Sequence, residues 1–247
     1  MPVPVVDTNV YLSRWPFRRL PCDDTPGLVA KLKSAGVQRA IAGSFDALLH
    51  RDIEGINRRL AEECKAHGAG MLMPAGCLNP AIPDWKEDLR RCQETHAMRV
   101  IRLHPNYHGY TLEDSSALEL LAEASKRKLL VQIACEMEDE RTQHPMVRTA
   151  AVNPAPLFAL PNGGGRVQLL NHRGPVKGKS VWIDIAMTEG VHGIQRQLQA
   201  AGDGRVVFGS YFPFFYLESA LLKLTESGQT ESGIARANAL RMLEEPR

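Results

Sequence analysis

Met98-Arg99-Val100-Ile101-Arg102-Leu103-His104, followed by Glu113 to Lys128 and then by Leu129-Leu130-Val131-Gln132-Ile133-Ala134-Cys135-Glu136, decides the fold. The two outer segments are short runs rich in β-branched residues, and the middle one has the amphipathic spacing of a helix. The unit is strand, helix, strand. Working outward, the same rhythm runs to both ends. On the N-terminal side, Val3 to Asp7, Val37 to Ser44 and Gly70 to Leu78 read as strands. Helices lie between them at Thr25 to Gly36, Asp52 to Ala66 and Asp84 to His96, with Thr25 expected as N-cap and Pro26 at the first helical position. On the C-terminal side, Val167 to His172, Val181 to Met187 and Val206 to Ser210 are strands. Val191 to Ala201 and Phe215 to Ser227 are their crossover helices, and Glu231 to Leu243 is a further terminal helix.

About eight strands, each followed by a helix or loop, in a chain of 247 residues with no compositional break predict one domain spanning residues 1–247. The expected fold is α/β, a (βα)8 TIM barrel with an extra C-terminal helix. A doubly wound open sheet is the rival, and no GxGxxG follows the first strand to support it.

Lys and Arg total 30 against 28 for Asp and Glu, and no tract of like charge occurs, which argues against a nucleic-acid ligand. No apolar run approaches the roughly 18 residues that span a bilayer. Met1 to Val6 lacks the basic segment and cleavage site of a signal peptide. The five cysteines are scattered and form no CxxC, as free thiols in a reducing compartment would be. The expected location is the cytosol.

Side chains alternate along a strand, so one parity fills the barrel and the other meets the helices. Asp7, Asn9 and Tyr11 share one parity; so do Arg102 and His104, Gln132 with Ala134 and Glu136, Gln168 with His172, and Trp182 with Asp184. Tyr211 ends strand eight. The opposite parity is almost wholly apolar, so polar groups are expected inside, toward the C-terminal strand ends where such barrels hold their sites. Arg102 and Asp184 have a bland reading too, as a buried ion pair plugging the barrel. His50, His67, His96 and His192 are expected to face solvent. Ser13 to Arg19, with Arg18 and Arg19 among aromatics, suits a planar carboxylate or phosphate ligand. Arg102 to Tyr110, which includes Asn106 and Tyr107, is dense in hydrogen-bonding side chains.

These residues resemble the amidohydrolase superfamily, in its amidohydrolase-related branch of metal-dependent hydrolases and decarboxylases. Val5-Val6-Asp7-Thr8-Asn9-Val10-Tyr11 is similar to that family's strand-one Asp-x-His-x-His motif, and Arg102-Leu103-His104-Pro105 to its strand-four segment. Leu169-Leu170-Asn171-His172-Arg173-Gly174 resembles the strand-six metal-histidine motif. Phe208-Gly209-Ser210-Tyr211-Phe212-Pro213 resembles the strand-eight Phe-Gly-Ser-Asp-x-Pro signature, and Ile234 to Leu243 the closing Asn-Ala helix. The family's paired strand-one histidines fall on Asn9 and Tyr11, its strand-five histidine on Ala134 and its strand-eight aspartate on Tyr211; only His172 remains. Zinc in a catalytic site takes about three protein ligands from His, Cys, Asp or Glu. The resemblance therefore implies no metal at the usual position and no other cofactor; Cys135, Glu136, His104 or Asp7 nearby are the residues that could rebuild a different site. It also implies a likeness to metal-free members such as the pyrone-dicarboxylate lactonases, whose strand-eight aspartate this chain lacks.

Two functions follow. The first is a metal-independent hydrolase or lyase acting on a small carboxylated molecule such as a lactone. His172, or else His104, would be the general base or acid. Arg102 with Arg18 or Arg19 would hold the carboxylate, and Asn9, Tyr11 and Tyr211 would donate to the reacting group. Glu136 would orient His172 or act as a second base, and Asn106, Tyr107 and Asp184 would contact the substrate. The alternative is a catalytically silent barrel that binds a metabolite or a protein partner. Arg102, His104, Glu136 and His172 converge where an inert core would more simply be apolar, which favours the enzyme. The expected partners are a small anionic molecule and a second copy in a homodimer, with no nucleic acid and no membrane.

Overall fold

A computed structural model describes residues 4–135, 152–160, 165–176, 181–229 and 233–244. Eight strands lie side by side in chain order: β1 (Val5–Leu12), β2 (Val37–Ser44), β3 (Leu72–Leu78), β4 (Val100–Leu103), β5 (Leu130–Ala134), β6 (Arg166–Leu170), β7 (Val181–Asp184) and β8 (Val206–Val207). All neighbouring pairs are parallel. The ring closes where Thr8 N donates to Phe208 O, Tyr211 N to Asn9 O and Tyr11 N to Phe212 O. The helices are α1 (Thr25–Ser34), α2 (Ile53–His67), α3 (Trp85–Glu94), α4 (Pro105–His108), α5 (Ser115–Lys126), α6 (Ala155–Ala159), α7 (Gly193–Ala201), α8 (Leu217–Glu226) and α9 (Ala237–Glu244). This is the (βα)8 barrel with its additional C-terminal helix. Among the described residues no helix is long and apolar enough to cross a membrane.

Two local expectations shift. The N-cap of α1 is Asp24, whose carboxylate accepts from Gly27 N, and Thr25 is already helical. β1 runs past its apolar stretch to Leu12, because Thr8 to Leu12 also pair with their neighbours. Its register against β2 slips between Asp7↔Ala40 and Val10↔Ala42, three steps on one strand against two on the other. This bulge reverses the parity behind it. Val6, not Asp7, therefore joins the interior below Asn9 and Tyr11.

The interior is layered. At the N-terminal end Val6, Ile41, Ala75, Val100, Leu130, Trp182 and Val207 pack together, and Ala239 and Met242 of α9 close them from below. The layer above is polar and satisfies itself. Arg102 Nε donates to Gln132 Oε1, and its Nη atoms donate to the carbonyls of Val10, Thr8 and Ile41. Gln132 Nε2 donates to Thr8 O and Gln168 Oε1, and Gln168 Nε2 to Thr8 Oγ1. Gly43 makes room for this guanidinium: a Cβ there would lie 2.7 Å from Arg102 Nη1. The outer parity of the strands and the inner faces of the helices form the large apolar shell.

Candidate active site

Above the polar layer, the C-terminal strand ends bring together Asn9, Tyr11, Cys77, His104, Asn171 and Asp184, all buried. Asn9 Nδ2 donates to Asp184 Oδ2 and Asn171 Oδ1, both at 2.8 Å. The ionised Asp184 fixes the Asn9 amide, and that amide in turn fixes Asn171. Asn9 Oδ1 and Asn171 Nδ2 are left buried with no hydrogen-bond partner among the described residues. Gly209 permits the close approach, since a Cβ there would meet Asp184 Cβ at 2.7 Å and Asn9 Cβ at 3.0 Å.

Two buried carboxylates lie close by, Asp184 on the Asn9 side chain and Asp7 on the Asn9 backbone and Ser210. Asp184 accepts from the backbone N–H groups of Asn171 and Ala186 as well as from Asn9. Burial raises its pKa to about 6 against the pull of those bonds. Asp7 accepts from Ser210 Oγ, Ser210 N and Asn9 N, and burial raises it to about 7.

Across the mouth, Tyr11 Oη lies 3.1 Å from His104 Nε2, and Cys77 Sγ lies 3.6 Å from His104 Nδ1. Burial first, then the charges of His108 and Arg102, hold His104 well below the usual histidine range, so it is neutral at physiological pH. The Tyr11 hydroxyl and Cys77 thiol are both pushed up by burial. An aromatic roof covers these groups: Tyr11 stacks on Phe45 at 4.7 Å, and Trp15, Tyr211 and Phe214 complete it.

The residues singled out in the sequence fall in different places. Asn9, Tyr11, Arg102, His104 and Asp184 come together inside the barrel. Arg102 does not pair with Asp184, and among the described residues it bonds no carboxylate. Parity pointed His172 inward. Instead, Asn171 adopts a left-handed conformation at φ 57°, so Asn171 is the residue that reaches Asn9. His172 stands half-buried beside it, donating Nδ1–H to Gly174 O at 2.8 Å, which leaves Nε2 with its lone pair. Tyr211 is likewise left-handed, at φ 58°, and stacks on Phe214. Arg18 is exposed with its guanidinium 5.4 Å from the Phe214 ring centroid, whereas Arg19 is tied to Asp23. Asn106 Nδ2 donates to Cys135 O, and Tyr107 packs against the roof. Glu136 lies outside the described residues. His50, His67 and His192 are exposed as expected, but His96 folds against Glu54 in an ion-pair geometry.

Cys77 and Asn171 were missed. Cys77 shares its strand parity with Ala75, so alternation along β3 could have found it. A left-handed turn at an asparagine leaves no such signal.

The positions that the resemblance assigns to a metal do not fit one. The Asn9 amide nitrogen is committed to Asp184 and Asn171, Tyr11 faces His104, Ala134 offers no ligand atom, and the Tyr211 ring is stacked in the roof. Only His172 has a metal-binding atom of the usual kind.

Comparison with known proteins bears on this barrel. A 2,6-dihydroxybenzoate decarboxylase from Rhizobium superposes with a TM-score of 0.75 at 14% identity, covering 99% of each chain. A candidate 2-pyrone-4,6-dicarboxylic acid hydrolase from Pseudomonas putida gives 0.67 at 14%, covering 100% of each. A dihydroxybenzoic acid decarboxylase from Polaromonas, with bound manganese and 2-nitroresorcinol, gives 0.71 at 10%, covering 100% of this chain and 98% of its own. At these identities the likeness is one of fold. No curated protein sequence matches the chain. The sequence profile described as Amidohydrolase matches residues 12–159, more than half of the chain, and on that match the protein belongs to the amidohydrolase family.

Proposed function

We propose that the protein is a hydrolase or lyase of this family that acts on a small carboxylated molecule, with His172 Nε2 as general base and without a metal at the family's usual position. The observation that carries the reading is the pair of buried orphans, Asn9 Oδ1 and Asn171 Nδ2, at the strand ends beside His172. A buried acceptor and donor without partners cost about 1–3 kcal/mol each, a cost that a ligand pairing with both removes. Asn171 Nδ2 suits a carboxylate or carbonyl oxygen, and Asn9 Oδ1 a hydroxyl. The aromatic roof, with Arg18 at its rim, suits a planar anion. The solved structures of similar fold named above act on planar carboxylic acids, which supports the same class. The five free cysteines suit a reducing compartment such as the cytosol, and a homodimer belongs to the reading by family likeness.

A second reading has its own support. Arg102 and Arg19 are both engaged within the protein, which suits a barrel that binds an anion without turning it over. One experiment separates the two. Wild type and His172→Ala are assayed against small aromatic carboxylic acids and lactones, for released carbon dioxide and for ring opening. The expected result is turnover by wild type and a loss of about 10²–10⁴-fold in the variant at unchanged Tm. Equal turnover in both removes His172 from the chemistry. Thermal stabilisation by an acid with no product at any enzyme concentration establishes the silent binder.

A further inference from the structure

The wall of the barrel between β3 and β4 holds a cluster that the reading above does not use. Cys77 ends β3, His104 follows β4, and His108 ends α4. The metal-binding atoms of the three lie within 4.8 Å of one another. His104 and His108 are spaced i, i+4 across α4, and His108 N donates to His104 O at 3.0 Å, so the helical turn presents both rings on one side. The spacing H-x3-H is one that zinc sites use.

Each ring is held by one nitrogen. His108 Nε2–H donates to Ala47 O at 2.9 Å; its Nδ1 is buried without a well-formed hydrogen bond among the described residues, and the Leu78 backbone also lies against this ring. His104 Nε2 faces Tyr11 Oη, and its Nδ1 faces Cys77 Sγ. Metal-ligating histidines have this arrangement, with the outer N–H anchored on an oxygen and the inner lone pair on the metal. The Sγ to Nδ1 distance of 3.6 Å is also the edge of a tetrahedron built from Zn–S of about 2.3 Å and Zn–N of about 2.0 Å. Leu78 O, 3.9 Å from Cys77 Sγ, is close enough to compete with a water for the fourth position. Hydrogen bonds alone account for Cys77 and His104, but among the described residues they give His108 Nδ1 no well-formed bond.

We propose that Cys77, His104 and His108 form a binding site for a zinc-like divalent cation, separate from the positions at which this family carries its metal. A thiolate with two imidazoles is a donor set for borderline and soft ions and not for magnesium or calcium. Binding replaces the Cys77 thiol proton with the metal, and the proton passes to solvent. The ion would clamp β3, β4 and α4 into one unit and fix His104 against Tyr11.

The test uses the full chain, purified without an affinity tag or chelators, analysed for zinc and then, after metal removal, titrated with cobalt(II). The expected result is one tightly bound cobalt per chain, with thiolate-to-cobalt charge-transfer absorption in the near ultraviolet. That band is lost in Cys77→Ser and retained in His172→Ala. His108→Gln, a change on a short half-buried helix, keeps the fold if Cys77→Ser does not, and weakens cobalt binding at least about tenfold. Failure to bind cobalt, binding without the thiolate band, or a band that survives both substitutions overturns the site. Loss of the band in His172→Ala reassigns the ion to the family position and overturns the proposal as well.

Discussion

The Arg102 guanidinium lies 4.5 Å from the centroid of the Tyr11 ring, sandwiched between the site above and the apolar floor below. Among the described residues no carboxylate hydrogen-bonds to it. Its partners are Gln132 Oε1, three main-chain carbonyls and the face of an aromatic ring, all oriented dipoles or a quadrupole. Carbonyls from β1 and β2 and a side chain from β5 thus meet at one rigid fork, a role for which the planar, permanently charged arginine suits better than lysine.

Arg102→Met is expected to destabilise the fold by about 3–5 kcal/mol, because the apolar chain takes the Arg102 donors away from Gln132 Oε1 and the carbonyls of Val10 and Ile41, and leaves Thr8 O with Gln132 Nε2 alone. Arg102→Lys should recover only part of this, since an ammonium cannot span the same acceptors. Urea unfolding measures both. A loss below about 1 kcal/mol for Met shows that the network does not hold the strands together.

Gly43 answers to the same guanidinium. Gly43→Ala puts a methyl group 2.7 Å from Arg102 Nη1 and 3.0 Å from its Cδ, with no unusual backbone angle involved. Arg102 is pinned at its far end, so the neighbour cannot yield cheaply. A loss of about 1–3 kcal/mol is expected. Pairing Gly43→Ala with Arg102→Met should make the two costs less than additive, which a double-mutant cycle reads directly.

Asp184 gives the protein a pH signature. Its carboxyl is raised from 3.8 to about 6 in the native state, so between these values the native protein holds a proton that the unfolded chain has lost. Its stabilising contribution is complete below pH 4 and disappears as pH rises through 6. The linked change is about 3 kcal/mol. Asp7, raised to about 7, extends the same slope to higher pH. Wild-type stability should therefore fall relative to Asp184→Asn as pH rises from 4 to 6. A difference that stays flat or grows across this window refutes the raised pKa.

The strand–helix rhythm was legible because each strand is an apolar run with helical spacing on either side, and inward parity located Arg102, His104, Gln132 and Asp184 correctly. What parity could not carry was any position where the strand stops being regular. The bulge between Asp7 and Val10 exchanged Val6 for Asp7, and the left-handed Asn171 took the place expected of His172. The partners of Arg102 were also illegible. Three of them are backbone carbonyls, which every residue has and no side-chain pattern marks.

The terminal helix supplies the last prediction, at the opposite end of the barrel. Met242 and Ala239 of α9 are buried against Val6, Ile41, Trp182 and Val207, and Arg166 donates to the carbonyls of Met242 and Leu243 at the end of that helix. Asn238 anchors its start, with Nδ2 donating to Val206 O at 2.8 Å. Met242→Ala opens a cavity in the floor and is expected to cost about 2–5 kcal/mol. The N-terminal face of a barrel serves stability, and its C-terminal face holds the chemistry. Turnover per folded molecule and cobalt binding at Cys77 should both be unchanged in Met242→Ala, while its Tm falls. A drop in either function at a temperature where the variant is fully folded shows that the floor and the mouth are coupled through the polar layer of Arg102, Gln132 and Gln168.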